Sequence, residues 1–469
     1  MRVLIDHGAY ENLGDLSMLE AAVEQVRQLK DVEISVKASP IQWPWPDIRI
    51  VDYHLPPPGA SVNRVTKSKW LPELSRRMLW GAADAWRDVV YRRVASGGPV
   101  AARPIHSSSG EHRLGRWVEQ FDALFVAGGG DLNDVFPQAL WRCCALAHAF
   151  AEQGKPTLLS GQQLGPFQRS ASIALLHSAL RRASHVGLRE PTASLQICRE
   201  AGVKPERMSM TGDDSLGLAP ADESEIMMAL RSAGVEPGDF IAVNLRIAPY
   251  CPVGAGQLRE VADLLDGLAR KYGRPLLAVP ISHGEEDSDL VTAVRLAELL
   301  GPGRLHILES ESMSAALVKG VLARAWAAIG NSYHFCTFAL CGGVPAIALY
   351  TGAYYRQKAL GTAAFWGDAR LAMSLAVFPG GAAADRISAV LEDEVLRQSL
   401  QHRAQESARA WEAGFKQGVL QAFGLQAPAG PGLPAPRLFP RYKPRARSPG
   451  SAAAIAGNCG PPGSPCARA

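Results

Sequence analysis

Residues 330–334, Gly-Asn-Ser-Tyr-His, combine types that can bind an anion and exchange a proton. They lie between an apolar run that predicts a buried strand and another that predicts a helix. Backbone N–H groups at the start of such a helix favour an anion, and a histidine there can take up or release a proton near neutral pH. The alternative is structural, with Asn331 or Ser332 capping the helix and His334 exposed in its first turn.

Two further segments in the first half of the chain predict a ligand cleft. A triple glycine follows an apolar strand, and a shorter Asn-Leu-Gly-Asp segment precedes the first predicted helix. Such loops let backbone approach a ligand, although they also serve as tight turns, and Asp15 could act as a helix N-cap. The spacing is not that of a dinucleotide-binding fingerprint. The residues predicted here as cleft contacts are Asn12, Asp15, Gly128, Gly129, Gly130 and Asp131.

Charged residues follow other predicted strands, at the edge of a parallel sheet where ligands bind. Arg246 ends one strand and is expected to bind a phosphate or carboxylate, with a salt bridge to an acid as the alternative. Arg189 ends another strand, and Glu190 beside it makes an ion pair equally plausible. His283 lies in a loop that either contacts the ligand or is simply surface. Asp213, with the aspartate after it, either caps a turn between domains or reaches the cleft.

Composition narrows the classes of function. A chain of 469 residues with 47% hydrophobic and 20% charged residues is typical of a globular protein with more than one domain. Its formal charge of +4 includes six basic residues after Leu425, without which the charge would be −2, so the folded part is not expected to bind nucleic acid. The spacing of the eight cysteines predicts neither a zinc site nor a disulfide framework. No signal peptide or membrane-spanning run is evident, so we expect a cytoplasmic protein without a transmembrane segment, for which peripheral membrane contact stays open.

Strands alternate with helices through both halves of the chain, which predicts an α/β fold of two doubly wound, Rossmann-like domains facing a cleft. The first domain is expected at residues 1–218, with an irregular elaboration at about 40–118 that includes a basic amphipathic helix. The second is expected at 219–424, closed by a helix from about 394 to 423. Residues 425–469 are rich in Pro, Ala, Gly and Arg and predict a disordered tail. No Ser-His-Asp order, HExxH motif or P-loop is present, which argues against hydrolases, metalloproteases and ATPases.

Taken in order, these segments resemble the polysaccharide pyruvyl transferase family over roughly residues 1–423, apart from the irregular region. No single segment is specific, but the ordered set is. The matching segments are Asn12 with Gly14 and Asp15, residues 128–130, 161–166, 188–190, 212–214 and 244–246, His283 with 286–287, residues 332–334 and 343–350, and Lys358.

The resemblance implies a GT-B-like fold and transfer of pyruvate from phosphoenolpyruvate to a sugar or glycoconjugate precursor, with no metal or organic cofactor. By this resemblance His334 is the catalytic proton carrier, and the donor lies against Arg246, Asn331, Ser332, His283 and Arg189. The acceptor is expected along the loops of the first domain. Better-known members carry an arginine where this chain has Ser332, which affects the identity of the donor. The alternatives are a GT-B glycosyltransferase that uses a nucleotide sugar and a non-catalytic binding subunit of the same fold.

Overall fold

A computed structural model describes residues 1–424 except residues 8–11, 38–47, 60–72, 249, 252, 285–287, 310–312 and 378–381. The predicted disordered tail lies outside the described residues. Two parallel sheets, one from each half of the chain, carry helices on both faces. This arrangement confirms the predicted α/β class, because parallel strands require crossover connections and the helices in those connections cover the sheet.

The first sheet is built from strands that precede residue 211, and the second from strands that follow residue 240. The strands, in chain order, are β1 (Arg2–Asp6), β2 (Glu33–Val36), β3 (Arg49–Ile50), β4 (Tyr53–His54), β5 (Pro104–Ser107), β6 (Gly110–Arg113), β7 (Ala123–Val126), β8 (Gly129–Leu132), β9 (Thr157–Leu164), β10 (His185–Leu188), β11 (Met208–Met210), β12 (Ile241–Asn244), β13 (Leu276–Ala278), β14 (Leu305–Ile307), β15 (Ala327–Gly330), β16 (Ala346–Tyr350) and β17 (Ala372–Ser374). The first sheet has the order β11-β10-β9-β7-β1-β2-β3, with β8 added beside β9, and the second has the order β14-β13-β12-β15-β16-β17. A small antiparallel sheet has the order β4-β5-β6.

Helices connect these strands. The α-helices are α1 (Leu13–Val26), α2 (Glu73–Ala95), α3 (Leu114–Val118), α4 (Pro137–Glu152), α5 (Ser170–Arg182), α6 (Ala193–Glu200), α7 (Glu223–Ser232), α8 (Ala255–Tyr272), α9 (Asp289–Leu300), α10 (Ala315–Leu322), α11 (Tyr333–Cys341), α12 (Gly352–Trp366), α13 (Ala382–Leu391) and α14 (Glu394–Phe423). Short 3-10 helices span Pro205–Arg207, Asp214–Gly217, Ala369–Leu371 and Leu375–Val377. None of the helices in the described ranges is long and apolar enough to cross a membrane.

Most predicted elements are confirmed to within a few residues, and three differences stand out. The segment predicted as a glycine loop is partly a strand, because residues 129–132 pair with β9. The region predicted as irregular contains β3, which extends the first sheet, and the antiparallel sheet, while the basic amphipathic helix predicted there is confirmed as α2. Sequence analysis also did not predict α7, α12 or α13; of these, α12 carries little hydrophobic periodicity, since its buried residues include Gly361 and Ala363.

The last helix, α14, joins the two halves of the chain. It was predicted to close the second domain, yet Phe415 packs on Phe125 of β7 with ring centroids 5.6 Å apart. Trp411 is buried, and its indole N–H donates to Asp214 after the last strand of the first sheet. The helix therefore fixes the sheets relative to each other through apolar contact and a buried hydrogen bond.

The carboxyl ends of the strands in the two sheets face each other. At the start of α1, the Leu13 N–H donates to the carbonyl of Ile281, and Asn12 forms an antiparallel bridge with Ser282, just after β13. Since α1 follows β1, this contact brings the ends of strands from both sheets to one place. Ligands of open parallel sheets bind at such strand ends, so the cleft between the sheets is the candidate site.

Candidate functional site

His334 lies at the centre of this cleft, in the first turn of α11. The alternative of an exposed first-turn histidine is wrong, because His334 is only 5% exposed. Ser332 occupies the N-cap position, but its side chain makes no capping hydrogen bond. Asn331 does not cap the helix either, since its side chain bonds to the backbone of Arg246. The capping explanation for this segment therefore fails, and the imidazole is held inside the protein.

The imidazole faces Asp213, which belongs to the first half of the chain. His334 Nε2 lies 3.7 Å from Asp213 Oδ2, and no hydrogen bond to this nitrogen is formed within the described residues. Asp213 also caps the 3-10 helix after β11, because its Oδ1 accepts from the Ser215 N–H at 2.9 Å. Both expectations for Asp213, a turn cap and a cleft residue, are thus met by one side chain.

Arg189 holds Asp213 in place. Its Nη1 donates to Asp213 Oδ2 at 3.2 Å, its Nη2 donates to Gln163, and the guanidinium lies 3.8 Å from the centre of the Tyr333 ring. The alternative of an ion pair with Glu190 is wrong, because that carboxylate accepts instead from backbone N–H groups at the start of α6. Arg189 and Asp213 meet because β10 and β11 are adjacent parallel strands that end together.

Burial would raise the pKa of Asp213, but His334, Arg189 and the Ser215 N–H hold that pKa well below its usual range. Asp213 is therefore a carboxylate at any ordinary pH. Because the carboxylate is buried between a guanidinium and an imidazole, it interacts strongly with both groups and is little screened by water. The arrangement resembles a histidine oriented by an acid, a common device of proton-transfer sites.

The start of α1 packs directly on the other side of His334. Asn12 caps this helix, since its Oδ1 accepts from the Gly14 N–H at 2.9 Å and from the Asp15 N–H at 3.4 Å. The idea that Asp15 is the cap is thus wrong. A Cβ placed on Gly14 would lie 2.0 Å from His334 Cγ and Nδ1. Glycine is therefore required here by contact with the imidazole, and not by an unusual backbone angle.

Arg246 forms a buried ion pair, which was the alternative to a ligand contact. Its Nε and Nη2 donate to the two oxygens of Asp289 at 2.8 and 3.1 Å. Asp289 also accepts from Asn244 and from the backbone N–H groups of residues 281 and 282. Asn331 accepts from the Arg246 N–H at 2.7 Å and donates to its carbonyl at 2.9 Å, because β12 and β15 are adjacent and end in register. Arg246 is thus fixed in position close to the His334 segment.

His283 and Ser332, which were also predicted to contact the donor, lie at the strand ends of the second sheet. His283 follows β13 and is half-buried, and burial lowers its pKa despite the attraction of Asp289. Ser332 is 2% exposed, beside the helix N-terminus that was expected to favour an anion. The structure therefore places both at the strand ends of the second sheet without showing what they bind.

The triple-glycine segment contacts buried side chains of the site. The Gly128 N–H donates to Asp214 Oδ2 at 2.9 Å, and Ser160 and Trp411 donate to the other oxygen of that carboxylate. Burial raises the pKa of Asp214 to about 7 against these three hydrogen bonds. A Cβ on Gly130 would lie 2.5 Å from Arg189 Nη2, so the third glycine is required by close approach. A Cβ on Gly129 would make only an ordinary contact, 3.9 Å from Gln162 Oε1.

Lys358 of α12 was part of the family resemblance without a predicted contact, and the structure places it in the cleft. Its Nζ lies 4.3 Å from the centre of the Tyr354 ring and 3.3 Å from the position of a Cβ on Gly130. Burial, followed by the nearby Arg189, lowers its pKa to about 7, although Asp131 and Asp15 oppose this. Lys358 therefore gains or loses its positive charge near neutral pH, because of its burial and its charged neighbours.

Two acids of the first half lie within electrostatic reach of Lys358. Burial raises the pKa of Asp15 to about 6, His334 and Lys358 lower it, and Asp131 adds to the increase. Both acids are half-buried. Asp15 and Asp131, which were predicted to bind the acceptor, thus lie near Lys358, and Arg189, which was predicted to bind the donor, lies beside Gly130 of the same segment.

Sequence analysis missed three features of this site: the steric role of Gly14, the contact between Asp213 and His334, and the position of Lys358. All three belong to segments of the family resemblance, so the signal was present. Their roles depend on contacts between distant parts of the chain, which spacing alone cannot show. Among the described residues there is no cluster of three or more His, Cys, Asp or Glu side chains able to hold a metal ion.

Comparison with solved structures identifies the fold. MnaA from S. aureus, solved with UDP, has a TM-score of 0.51 at 12% identity, covering 92% of this chain and 100% of that one. Alr3699/HepE from Anabaena, in complex with UDP, gives 0.51 at 13% identity with 90% and 99% covered. UGT71G1 from Medicago truncatula, complexed with UDP-glucose, gives 0.50 at 13% identity with 90% and 98% covered. At these identities the similarity shows the fold alone, which is of the GT-B type.

No curated protein sequence matches the chain. The model of one protein family does, over residues 12–352, which is most of the chain. That range begins at the cap of α1 and ends at the start of α12, and it includes His334, Asp213, Arg189 and Arg246. The chain belongs to the polysaccharide pyruvyl transferase family.

Proposed function

We propose that this protein transfers a pyruvyl group from phosphoenolpyruvate to a sugar or glycoconjugate precursor, with His334 as the proton carrier. The observation that supports this most is the position of the His334 imidazole. This side chain comes from the second half of the chain and is buried between Gly14 and the Asp213 carboxylate, which both belong to the first half. It therefore lies where the two sheets meet. A proton carrier between donor and acceptor has to be at such a point.

The proposed reaction forms a ketal. Two hydroxyl oxygens of the sugar bond to C2 of the enol phosphate, the C2–O bond to phosphate breaks, and C3 gains a proton. Of the two protons that the hydroxyls lose, one is delivered to C3 and the other leaves with phosphate. His334 can accept a hydroxyl proton and return it to carbon, and the Asp213 carboxylate stabilises the imidazolium that forms in between.

The donor carries a carboxylate and a phosphate, so its site needs cations. Lys358 supplies one in the cleft, and Arg246 supplies another at the strand ends of the second sheet. Since Arg246 binds Asp289 through Nε and Nη2, we expect Nη1 to reach the donor. The backbone N–H groups at the start of α11 add a further favourable interaction with an anion. Ser332 lacks the charge of the arginine in better-known members, so in our proposal Lys358, Arg246 and the start of α11 hold the donor without that further cation.

The acceptor is proposed to lie against the first half of the chain. Asp15 and Asp131 present half-buried carboxylates that can accept hydrogen bonds from sugar hydroxyls. Asn12 and the segment from Gly128 to Gly130 shape the backbone around them. This assignment rests on the position of these loops, which belong to the first half of the chain and meet the second half at His334.

The test is calorimetric titration with phosphoenolpyruvate and with UDP, followed by an assay of phosphate release with candidate sugar acceptors. We expect phosphoenolpyruvate to bind and His334→Ala to abolish transfer without loss of the fold. His306→Ala, in the edge strand β14 of the same sheet, is the matched control and should leave transfer unchanged. Binding of UDP without phosphoenolpyruvate would contradict the proposal.

That contrary result would favour a nucleotide-sugar glycosyltransferase. The observation behind this second candidate is that three solved structures of the same fold contain UDP or UDP-glucose. A third candidate is a non-catalytic binding subunit that uses the basic tail after Leu425. It predicts that deleting the tail abolishes partner binding while no acceptor supports phosphate release.

A further inference from the structure

Helix α2 carries a stripe of apolar side chains that face away from the protein. The stripe, which we call the Trp86 stripe, consists of Met78, Ala82, Ala85, Trp86 and Val89. Met78, Trp86 and Val89 are 70%, 55% and 57% exposed, which is unusual for side chains of this size. Their spacing of three, four and eight residues places them on one side of the helix. Tyr91 and Val94 lie towards the opposite side and are buried in the core of the first half, and Val90 is buried at the edge of the stripe.

The charges around the Trp86 stripe leave it net positive. After Glu73 at its start, the helix has acids at Asp84 and Asp88, but Arg169, just before α5, binds both of these, with Nη1 3.0 Å from one carboxylate and Nη2 2.8 Å from the other. The carboxylates of Asp84 and Asp88 therefore lie on the side of α2 that packs on α5. Arg92 and Arg93 are exposed at the end of the stripe. An apolar stripe that ends in arginines is thus the surface presented to the surroundings.

We propose that the Trp86 stripe docks on a bilayer surface that contains anionic lipids. A helix of this kind lies in the plane of the membrane with its apolar side chains at the boundary between head groups and acyl chains. Tryptophan is favoured at that depth, and arginines are attracted to anionic head groups. Among the side chains of α2 that the structure describes, both acids are bound by Arg169, which complements such a surface. This inference goes beyond the proposed reaction and does not depend on it.

The position of α2 also suits a membrane contact that leaves the cleft accessible. The Tyr91 hydroxyl donates to the carbonyl of Pro137, the first residue of α4. That helix follows strand β8 and therefore the glycine segment on the predicted acceptor side. The stripe itself lies on the outer face of α2 and not in the cleft. Docking would thus place the first half of the chain against the membrane without covering His334.

The test is co-sedimentation of the full chain with vesicles of phosphatidylcholine, with and without phosphatidylglycerol. The stripe variant is Met78→Ser, Trp86→Ser and Val89→Ser together. The matched control is Met228→Ser, Val294→Ser and Val395→Ser, three apolar side chains on other helices that are 61%, 45% and 78% exposed. The basic tail is present in every protein, so a difference between the two triple variants reports the helix face. Thermal unfolding checks that both variants fold.

We expect the wild type and the control to bind vesicles that contain phosphatidylglycerol. The stripe variant should bind them at least on the order of tenfold more weakly. Arg92→Gln with Arg93→Gln should weaken binding about fivefold for each charge removed. No binding by the wild type, or equal binding by the stripe variant, would overturn the proposal. So would a wild-type dimer that becomes a monomer in the stripe variant, because the face would then belong to a second copy of the chain.

Discussion

Gly14→Ala is the substitution that tests the cleft geometry most sharply. The added Cβ would lie 2.0 Å from Cγ and Nδ1 of His334 and 2.4 Å from its Cβ. Carbon atoms in contact are normally about 3.5–4.0 Å apart, so the ring or the start of α1 must move by more than about 1 Å. Because the clash includes the His334 Cβ, a rotation of the ring cannot relieve it. A misplacement of about 1 Å can reduce turnover by about 100-fold, and overpacking costs about 1–3 kcal/mol of stability.

Gly256→Ala is the matched control. Like Gly14, Gly256 is the second residue of its helix, but a Cβ there would meet open space. Alanine in a helix is more favourable than glycine by up to about 1 kcal/mol, so the control should be neutral or stabilising. The assay is the initial rate of phosphate release with an acceptor that the wild type uses, together with thermal unfolding. A Gly14→Ala variant with the turnover and melting temperature of the control would refute the packing of His334 described here.

Three further substitutions follow from the site. Burial lowers the folded pKa of Lys358 to about 7, so its charge is present below that pH and lost above it, and KM for an anionic donor should rise as pH increases through about 7. Lys358→Arg should remove this rise in a pH profile of KM, and a rise that persists would exclude Lys358 as its source. Asp213→Asn leaves the Arg189 guanidinium buried without its counter-charge, and we expect about 3–5 kcal/mol of lost stability in denaturant unfolding and on the order of 100-fold lower turnover. An unchanged midpoint would show that the ion pair does not hold the site. Lys319 donates to the carbonyls of Ser215, Leu216 and Leu218, just after Asp213, so Lys319→Met should cost on the order of 2 kcal/mol or more and reduce turnover. Wild-type melting and turnover would contradict that positioning role.

The sequence predicted the architecture because both sheets are parallel and buried. Strands of this kind are continuous apolar runs between helices, and their carboxyl ends are marked by glycine or charged residues, as at Gly128 and Arg246. The same logic failed for β8, where backbone pairing with β9 occurs in a glycine-rich segment that carries no apolar signal. Helix α12 was also missed, since its buried residues include Gly361 and Ala363 and give little periodicity.

The site could be predicted only in outline. The residues at strand ends were found because topology alone brings them to one edge of a sheet. What each side chain contacts depends on how the two sheets meet, which no local pattern records. An ion pair with Glu190 was one of two interpretations of Arg189, which pairs with Asp213 from the next strand, and helix capping was an alternative for Asp15 that Asn12 fulfils instead. The distance between Gly14 and His334, far apart along the chain, is the clearest case.

The most direct test of the central claim is mass spectrometry of a sugar acceptor incubated with phosphoenolpyruvate and the protein. The account predicts that the wild type and His306→Ala add a pyruvyl ketal to the acceptor and release phosphate. It predicts that His334→Ala, with the same thermal unfolding as wild type, does neither. Ketal formation by His334→Ala at the wild-type rate would contradict the role of His334 as the proton carrier.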